Sequence, residues 1–264
     1  MKITRPMRAT VGRIIQDRDR MVRLGMRAVL PVTRRLRVLA GRICREKIVG
    51  GELQAHIVTA TKPLIGVLQE AMTASHMAGR LHVVQTAAAA MASRYKAAGA
   101  YDSATDWLKR RLAWDESGVD ALRHIYGQNA TDVTRGAGSV LEEKARQAVA
   151  SILEEGMHVA EGMDRMREAF DAAGVTDENP YLLETLVRTQ TAMAYGAGQW
   201  NADQDPAVAD MVCGYVYVTA GDMRVRETHA EMNGATAPKD HPVWQRWWYP
   251  NGFGCRCSCL ELLD

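Results

Sequence analysis

A chain of 264 residues with 47% hydrophobic content has the apolar material for one large or two ordinary cores, which excludes a disordered polypeptide. Its formal net charge is only +2, yet residues 1–50 hold fourteen Lys/Arg against three Asp/Glu, so the remainder is acidic. No apolar run approaches the about 20 residues of a membrane span, and the basic N-terminus lacks the continuous apolar core of a signal peptide.

Residues 1–50 read as a basic arm. Ile14, Ile15, Met21, Val22, Leu24, Met26, Val29 and Leu30 recur at loosely helical spacing, with arginines in the gaps and Pro31 interrupting the run. Arg34, Arg35 and Arg37 follow the proline. They are the candidate partner contacts, because guanidinium groups pair with phosphate and carboxylate. Nucleic acid and an acidic protein surface are both open as partners. The stretch has no aromatics suited to base stacking, which argues against reading of single strands.

Residues 51–205 read as a helical body. Gly50-Gly51 punctuates its start, Pro63 kinks or opens a helix, and the alanine-rich Ala71–Ala98 favours close helix packing. His56, His76 and His82 are read as ordinary polar residues. Leu141, Ala145, Ala148, Val149 and Ile152 mark an amphipathic helix, with Ser139 and Glu142 at capping-box spacing and Gly156 as its end. The pattern repeats over Val159–Ala173, with Gly174 as the stop. Asn179-Pro180 is expected to open another helix, whose apolar stripe is Leu183, Leu186, Val187 and Ala194. Arg188 sits beside that stripe, as a local ion pair or as an anchor for the end of the chain.

Residues 206–264 read as a small terminal module. Tyr215–Thr219 alternates as a strand, with Tyr215 and Tyr217 on one side and Val216 and Val218 on the other. Gly221-Asp222 turns the chain, and Arg224–Asn233 forms a short helix before Gly234. Pro238, Pro242 and Pro250 make the stretch from Ala235 to Gly254 irregular, with Trp244, Trp247, Trp248 and Phe253 as a small aromatic core. Three of the five cysteines, Cys255, Cys257 and Cys259, alternate at the end, and Cys44 and Cys213 stand apart. An odd, crowded set is a poor disulfide framework, so free or metal-bound thiols in a reducing compartment are expected. The expected architecture is mainly α: an extended multi-helix body with a small α+β C-terminal module.

Three features in order resemble the phage Mu protein F-like head morphogenesis family. The first is the helix Leu182–Trp200 with its Val-Arg-Thr-Gln core, where that family usually has Ala-Arg-Thr-Glu. The second is Thr-Ala-Gly-Asp-Met-Arg-Val-Arg-Glu-Thr-His, followed by Asn-Gly. The third is Pro-Asn-Gly-Phe-Gly-Cys-Arg-Cys. The resemblance covers roughly residues 117–259 and leaves residues 1–110 unmatched. Gln190 departs from the usual acid, so no carboxylate role carries over to it. Arg188, Asp222, Arg226 and Arg256 lie within these motifs and are read as structural.

The resemblance implies a minor head protein of a tailed bacteriophage or prophage, present in few copies, associated with the portal and acting in head assembly or DNA delivery. It implies the portal protein, other capsid or scaffolding proteins and packaged double-stranded DNA as partners. The implied location is the virion, and the host cytoplasm during assembly. It implies no enzymatic activity. His229, Cys255 and Cys257 are also candidate zinc ligands, with His241 or Cys259 as the fourth, since loop-rich modules often need such a staple. The alternative is that they pack in the aromatic core while Asp222 pairs with an arginine. The rival function is a metal-dependent nuclease or hydrolase of a phage or toxin system, using His229, Glu227 and Glu231. No Gly-rich phosphate loop, His-Glu-x-x-His or Gly-x-Ser-x-Gly is present.

Overall fold

Helix formers and 3.6-residue apolar periodicity dominate the first 200 residues, and the computed structural model is accordingly mainly α with a small antiparallel sheet near the C-terminus. It describes residues 4–46, 48, 50–95, 100–111, 116–154, 159–176 and 179–263. Among these, the helices are α1 (Arg5–Glu46), α2 (Gly50–Thr61), α3 (Pro63–Tyr95), α4 (Ala100–Arg111), α5 (Glu116–Glu154), α6 (Val159–Ala172), α7 (Tyr181–Asp203), α8 (Pro206–Ala209), α9 (Glu227–Glu231) and α10 (Val243–Trp247). The strands are β1 (Val212–Val218), β2 (Thr236–Pro238) and β3 (Ser258–Leu263). The chain folds into two compact units, each assembled from separated stretches. Unit 1 comprises Met1–Met21, Met72–Leu122 and Arg188–Asp264; unit 2 comprises Val22–Ala71 and Arg123–Val187.

Unit 2 is all helix. Along α1, Val22, Val29, Val32, Leu36, Leu39 and Ile43 are buried, at steps of seven, three and four. Arg34, Arg35 and Arg37 are exposed on the remaining face. The expected interruption at Pro31 does not occur: α1 continues through it. A proline inside a helix loses one backbone hydrogen bond and costs about 3 kcal/mol. Burial of Val29 and Val32 on either side offsets this, at roughly 1.5–3 kcal/mol for each side chain. Ser139 does not open a helix either. It lies inside α5, and its hydroxyl donates to Arg135 O at 3.1 Å, a back-bond that serine makes within a helix. Gly156 lies outside the described residues, as do residues 96–98 of the alanine-rich run. Gly174, at φ +71°, stops α6 as expected. Asn179 is not the cap of α7: the helix begins at Tyr181, so Pro180 holds the cap position, and Asn179 Nδ2 donates to Asp171 O at 2.8 Å.

Unit 1 surrounds the sheet. Val11 and Ile14 of α1, Val83, Val84, Ala87 and Ala88 of α3, Leu108 of α4 and Tyr195 of α7 share one core with β1. The strand order is β2-β1-β3, antiparallel throughout, with Val216 opposite Thr236 on one side and Leu260 on the other. Both faces of β1 are buried from Gly214 to Val218. Tyr215 and Tyr217 share a face, as the alternation predicts. Tyr215 packs edge-on against Trp244 and Trp248, at centroid distances of 5.5 and 4.9 Å.

Two strands escaped the sequence reading. The stretch from Ala235 to Gly254, expected to be irregular throughout, contains β2 in a backbone ladder with β1. Three residues ending in Pro238 are too short to show a period of two, and the proline is tolerated on an edge strand. In β3 the run Ser-Cys-Leu-Glu-Leu-Leu hides its alternation behind a buried cysteine.

Helices α3 and α7 approach to backbone contact within unit 1. A Cβ on Gly198 would lie 2.0 Å from His76 O, and one on Gly79 would lie 2.1 Å from Tyr195 O. Neither carbonyl is the end of a flexible side chain, so the helices themselves would have to part. Gly198→Ala is therefore expected to destabilise unit 1 by at least about 1–3 kcal/mol, the usual cost of overpacking, despite alanine's better helix propensity. Chemical denaturation checks this, with Gly66→Ala on α3 as the control, since that position is open.

Candidate metal centre

Three segments of the terminal module bring the candidate ligands together. His229 rides on α9, a single turn after the N-cap Arg226, and is 5% exposed. Cys255 and Cys257 lie on the segment that leads into β3, and both are buried. His229 Nδ1 is 3.4 Å from Cys257 Sγ and 3.7 Å from Cys255 Sγ. All three donor atoms lie within 4.8 Å of one another. Zinc bonds of about 2.0–2.1 Å to nitrogen and about 2.3 Å to sulfur place neighbouring tetrahedral ligands roughly 3.6 Å apart. The donor spacing and the His-Cys-Cys chemistry therefore fit zinc. The ion would be held by these three side chains and would cross-link α9 to the β3 lead-in.

The two thiols are electrostatically unequal. A hydrogen bond from Cys257 brings the Cys255 thiol down to about 5, against the opposing effect of burial, with backbone hydrogen bonds from Cys257 and Asn251 and the His229 ring assisting. Cys257 is pushed up by that same hydrogen bond and by its burial. Tyr217 completes the cluster from β1. Its hydroxyl is 3.4 Å from His229 Nδ1, and burial followed by its hydrogen bond with Cys257 keeps the phenol protonated. Trp247 closes the apolar side, edge-on to both His229 and Tyr217.

A set of arginines fixes the loop that carries the cysteines. Arg18 of α1, itself 5% exposed, donates to Cys255 O at 2.8 Å and to Cys257 O at 2.9 Å. Arg226 donates to Asn251 O at 3.3 Å and to Phe253 O. Arg256 forms a bidentate pair with Asp222, both bonds at 2.5 Å, and this pair holds the Asp222 carboxyl down at about 2. Gly254 N donates to Thr189 Oγ1 on α7 at 3.3 Å.

The structure brings His229, Cys255 and Cys257 to one point and places Asp222, Arg226 and Arg256 around it. Arg188 instead pairs with Asp19 at 2.7 Å. Arg34, Arg35 and Arg37 belong to unit 2. Neither candidate for a fourth ligand joins the group. His241 is exposed and its Nδ1 accepts from Val243 N at 3.1 Å, while Cys259 is buried outside the cluster. Phe253 is exposed and is no part of the aromatic core. Arg18 and Tyr217 were missed. The available signal for Arg18 was its place at i+4 from Ile14 and i+7 from Val11, on the apolar stripe of α1.

Residues 143–260 match the sequence model of the family described as Phage Mu protein F like protein. The C-terminal part of this chain is similar to that family. The match takes in α7, β1, β2, the first half of β3 and the whole centre except Arg18. The chain is 32% identical over 91 residues to the Mu-like prophage FluMu F protein of Haemophilus influenzae, covering 33% of this chain and 20% of that one. It is 35% identical over 96 residues to the putative capsid assembly protein F of Escherichia phage Mu, covering 35% of this chain and 21% of that one. The chain thus spans about a fifth of the length of these curated relatives. No solved structure matches it.

Zinc binding by His229, Cys255 and Cys257 is tested by elemental analysis. Protein purified without chelator is expected to carry about one zinc per chain, and a strong chelator should lower its melting temperature. Substoichiometric metal with unchanged melting would leave His229, Cys255 and Cys257 as packing residues.

Proposed function

We propose that the protein is a non-enzymatic component of a tailed phage or prophage head, a minor capsid protein acting in head assembly at the portal. The observation that carries this reading is the match of residues 143–260 to the Mu F-like family, one member of which is named a putative capsid assembly protein. The partners are the portal protein and other capsid or scaffolding proteins. The protein works in the virion, having joined it during assembly in the host cytoplasm. No helix among the described residues is long and apolar enough to cross a membrane.

The chemistry of the centre supports a structural role. Arg18 and Arg226 are engaged with loop carbonyls, and Arg256 with Asp222. A hydrolytic zinc needs an open position that substrate and water can reach. His229, Cys255 and Cys257 are all buried behind Trp247 and Tyr217. A zinc ion held by His229, Cys255 and Cys257 would tie α9 to the loop before β3. The exposed Arg34, Arg35 and Arg37 on α1 supply contacts to packaged double-stranded DNA or to an acidic partner face.

Procapsids assembled without portal are expected to contain much less of the protein than complete ones; equal amounts would contradict the portal assignment. Purified protein should show no metal-dependent cleavage of DNA. Cleavage that His229→Ala abolishes in a folded variant would favour the nuclease reading.

A further inference from the structure

Away from the cysteines, unit 1 contains a cavity of about 570 Å³, lined by Thr10 and Arg13 of α1, His82, Gln85 and Thr86 of α3 and Glu261 of β3. At its floor is a buried ion pair. His82 Nε2 lies 3.2 Å from Glu261 Oε2, with the two side chains 11% and 2% exposed. Glu261 Oε1 accepts from Gln199 Nε2 at 2.6 Å. Gln199 is fixed in turn, donating to Cys259 O at 2.8 Å and accepting from the Tyr249 hydroxyl. Both carboxylate oxygens of Glu261 are thus engaged from within the fold.

What is left to face the cavity is a set of donors. A protonated His82 has a second N–H beyond the one that Glu261 takes. Arg13 is exposed on the rim and donates to Thr10 Oγ1 at 3.1 Å, with guanidinium N–H groups to spare. Gln85 offers an amide and Thr86 a hydroxyl. Burial works against charge on His82, but Glu261 outweighs it and the imidazole is raised above its ordinary value; Arg13 opposes this and Asp17 assists. Burial likewise opposes the ionised Glu261, and His82 overcomes it. Two cations therefore border the space, and Arg13 repels the charge on His82. An anion between them would offset that repulsion and accept from the Arg13 guanidinium and from the second N–H of His82. Tyr101, half exposed, adds an aromatic face for the remainder of a ligand.

We propose that this cavity binds a phosphate group, held between Arg13 and His82 with Thr10, Thr86 and Gln85 as further donors. The volume is that of a small-molecule site and exceeds what phosphate alone would fill. The phosphate therefore comes from a small phosphorylated compound or from a DNA terminus, and the chemistry at Arg13 and His82 is the same for both. The site is independent of the zinc centre and of the head assignment.

The test uses the full chain and calorimetric titration with inorganic phosphate at pH 6, against chloride at matched ionic strength. A second arm uses a short duplex with a 5′-phosphate and its unphosphorylated twin. Saturable binding of inorganic phosphate is expected, and R13Q should weaken it at least tenfold. Because Arg13 is exposed, this variant should stay folded, which the melting curve verifies. R20Q, at an exposed arginine further along α1, should bind as wild type. Affinity should fall as pH rises through the raised pKa of His82, because deprotonation removes one of the two cations. Preference for the phosphorylated duplex that R13Q removes would identify DNA ends as the source; no such preference would leave small phosphorylated compounds. Equal binding by wild type and R13Q, equal losses in R13Q and R20Q, or no saturable binding of either probe would overturn the proposal.

Discussion

The terminal module depends on one buried guanidinium. Arg18 reaches from the first helix to the last loop and donates to two carbonyls, those of Cys255 and Cys257, 237 and 239 residues away. Its carbon-centred charge also lies 5.4 Å from the centre of the Tyr249 ring. A buried charge is expensive unless fully hydrogen-bonded, and a buried carbonyl is expensive unless it finds a donor. Each satisfies the other here. The two carbonyls alternate with the two thiols along the same short stretch, so fixing the carbonyls turns Cys255 Sγ and Cys257 Sγ towards His229. The three candidate donors are thus set by the protein itself, so an ion bound there would have little chain entropy left to overcome.

The same interaction explains why a helix in an arginine-rich stretch is built into unit 1. Val11, Ile14 and Arg18 lie on one stripe of α1 and enter one core. Arg34, Arg35 and Arg37 lie on the exposed face. Arginine thus serves two purposes on a single helix. Composition registers only their sum, and burial separates them.

Much of the candidate site was legible because its chemistry is local. The Asp222-to-His229 run and the Cys255-Arg256-Cys257 run are short motifs, and each holds residues that meet in space. Helices were legible where apolar spacing was regular, as along Leu141, Ala145 and Ala148. Arg18 and Tyr217 were not legible, because their roles come from partners far along the chain: the cysteine carbonyls in one case and His229 in the other. Pro31 and Ser139 misled for the opposite reason. Their local preferences are to break or cap a helix, and burial of Val29 and Val32, or of Ala137 and Leu141, overrides them. β2 was invisible because three residues carry no period, and the ladder to β1 exists only in the folded sheet.

The Arg18 fork orders the cysteine loop, and thiol reactivity in Arg18→Lys tests this most directly. Lysine keeps the charge and cannot make two fixed, diverging bonds. A hydrogen bond to a charged donor contributes about 1.5–3 kcal/mol, so loss of one should raise the opening of the loop, and the labelling rate of Cys255 and Cys257 by a thiol reagent, roughly tenfold or more. Labelling of the exposed Cys213 should not change, which gives an internal reference. Wild-type labelling rates at Cys255 and Cys257 in the lysine variant would contradict the account.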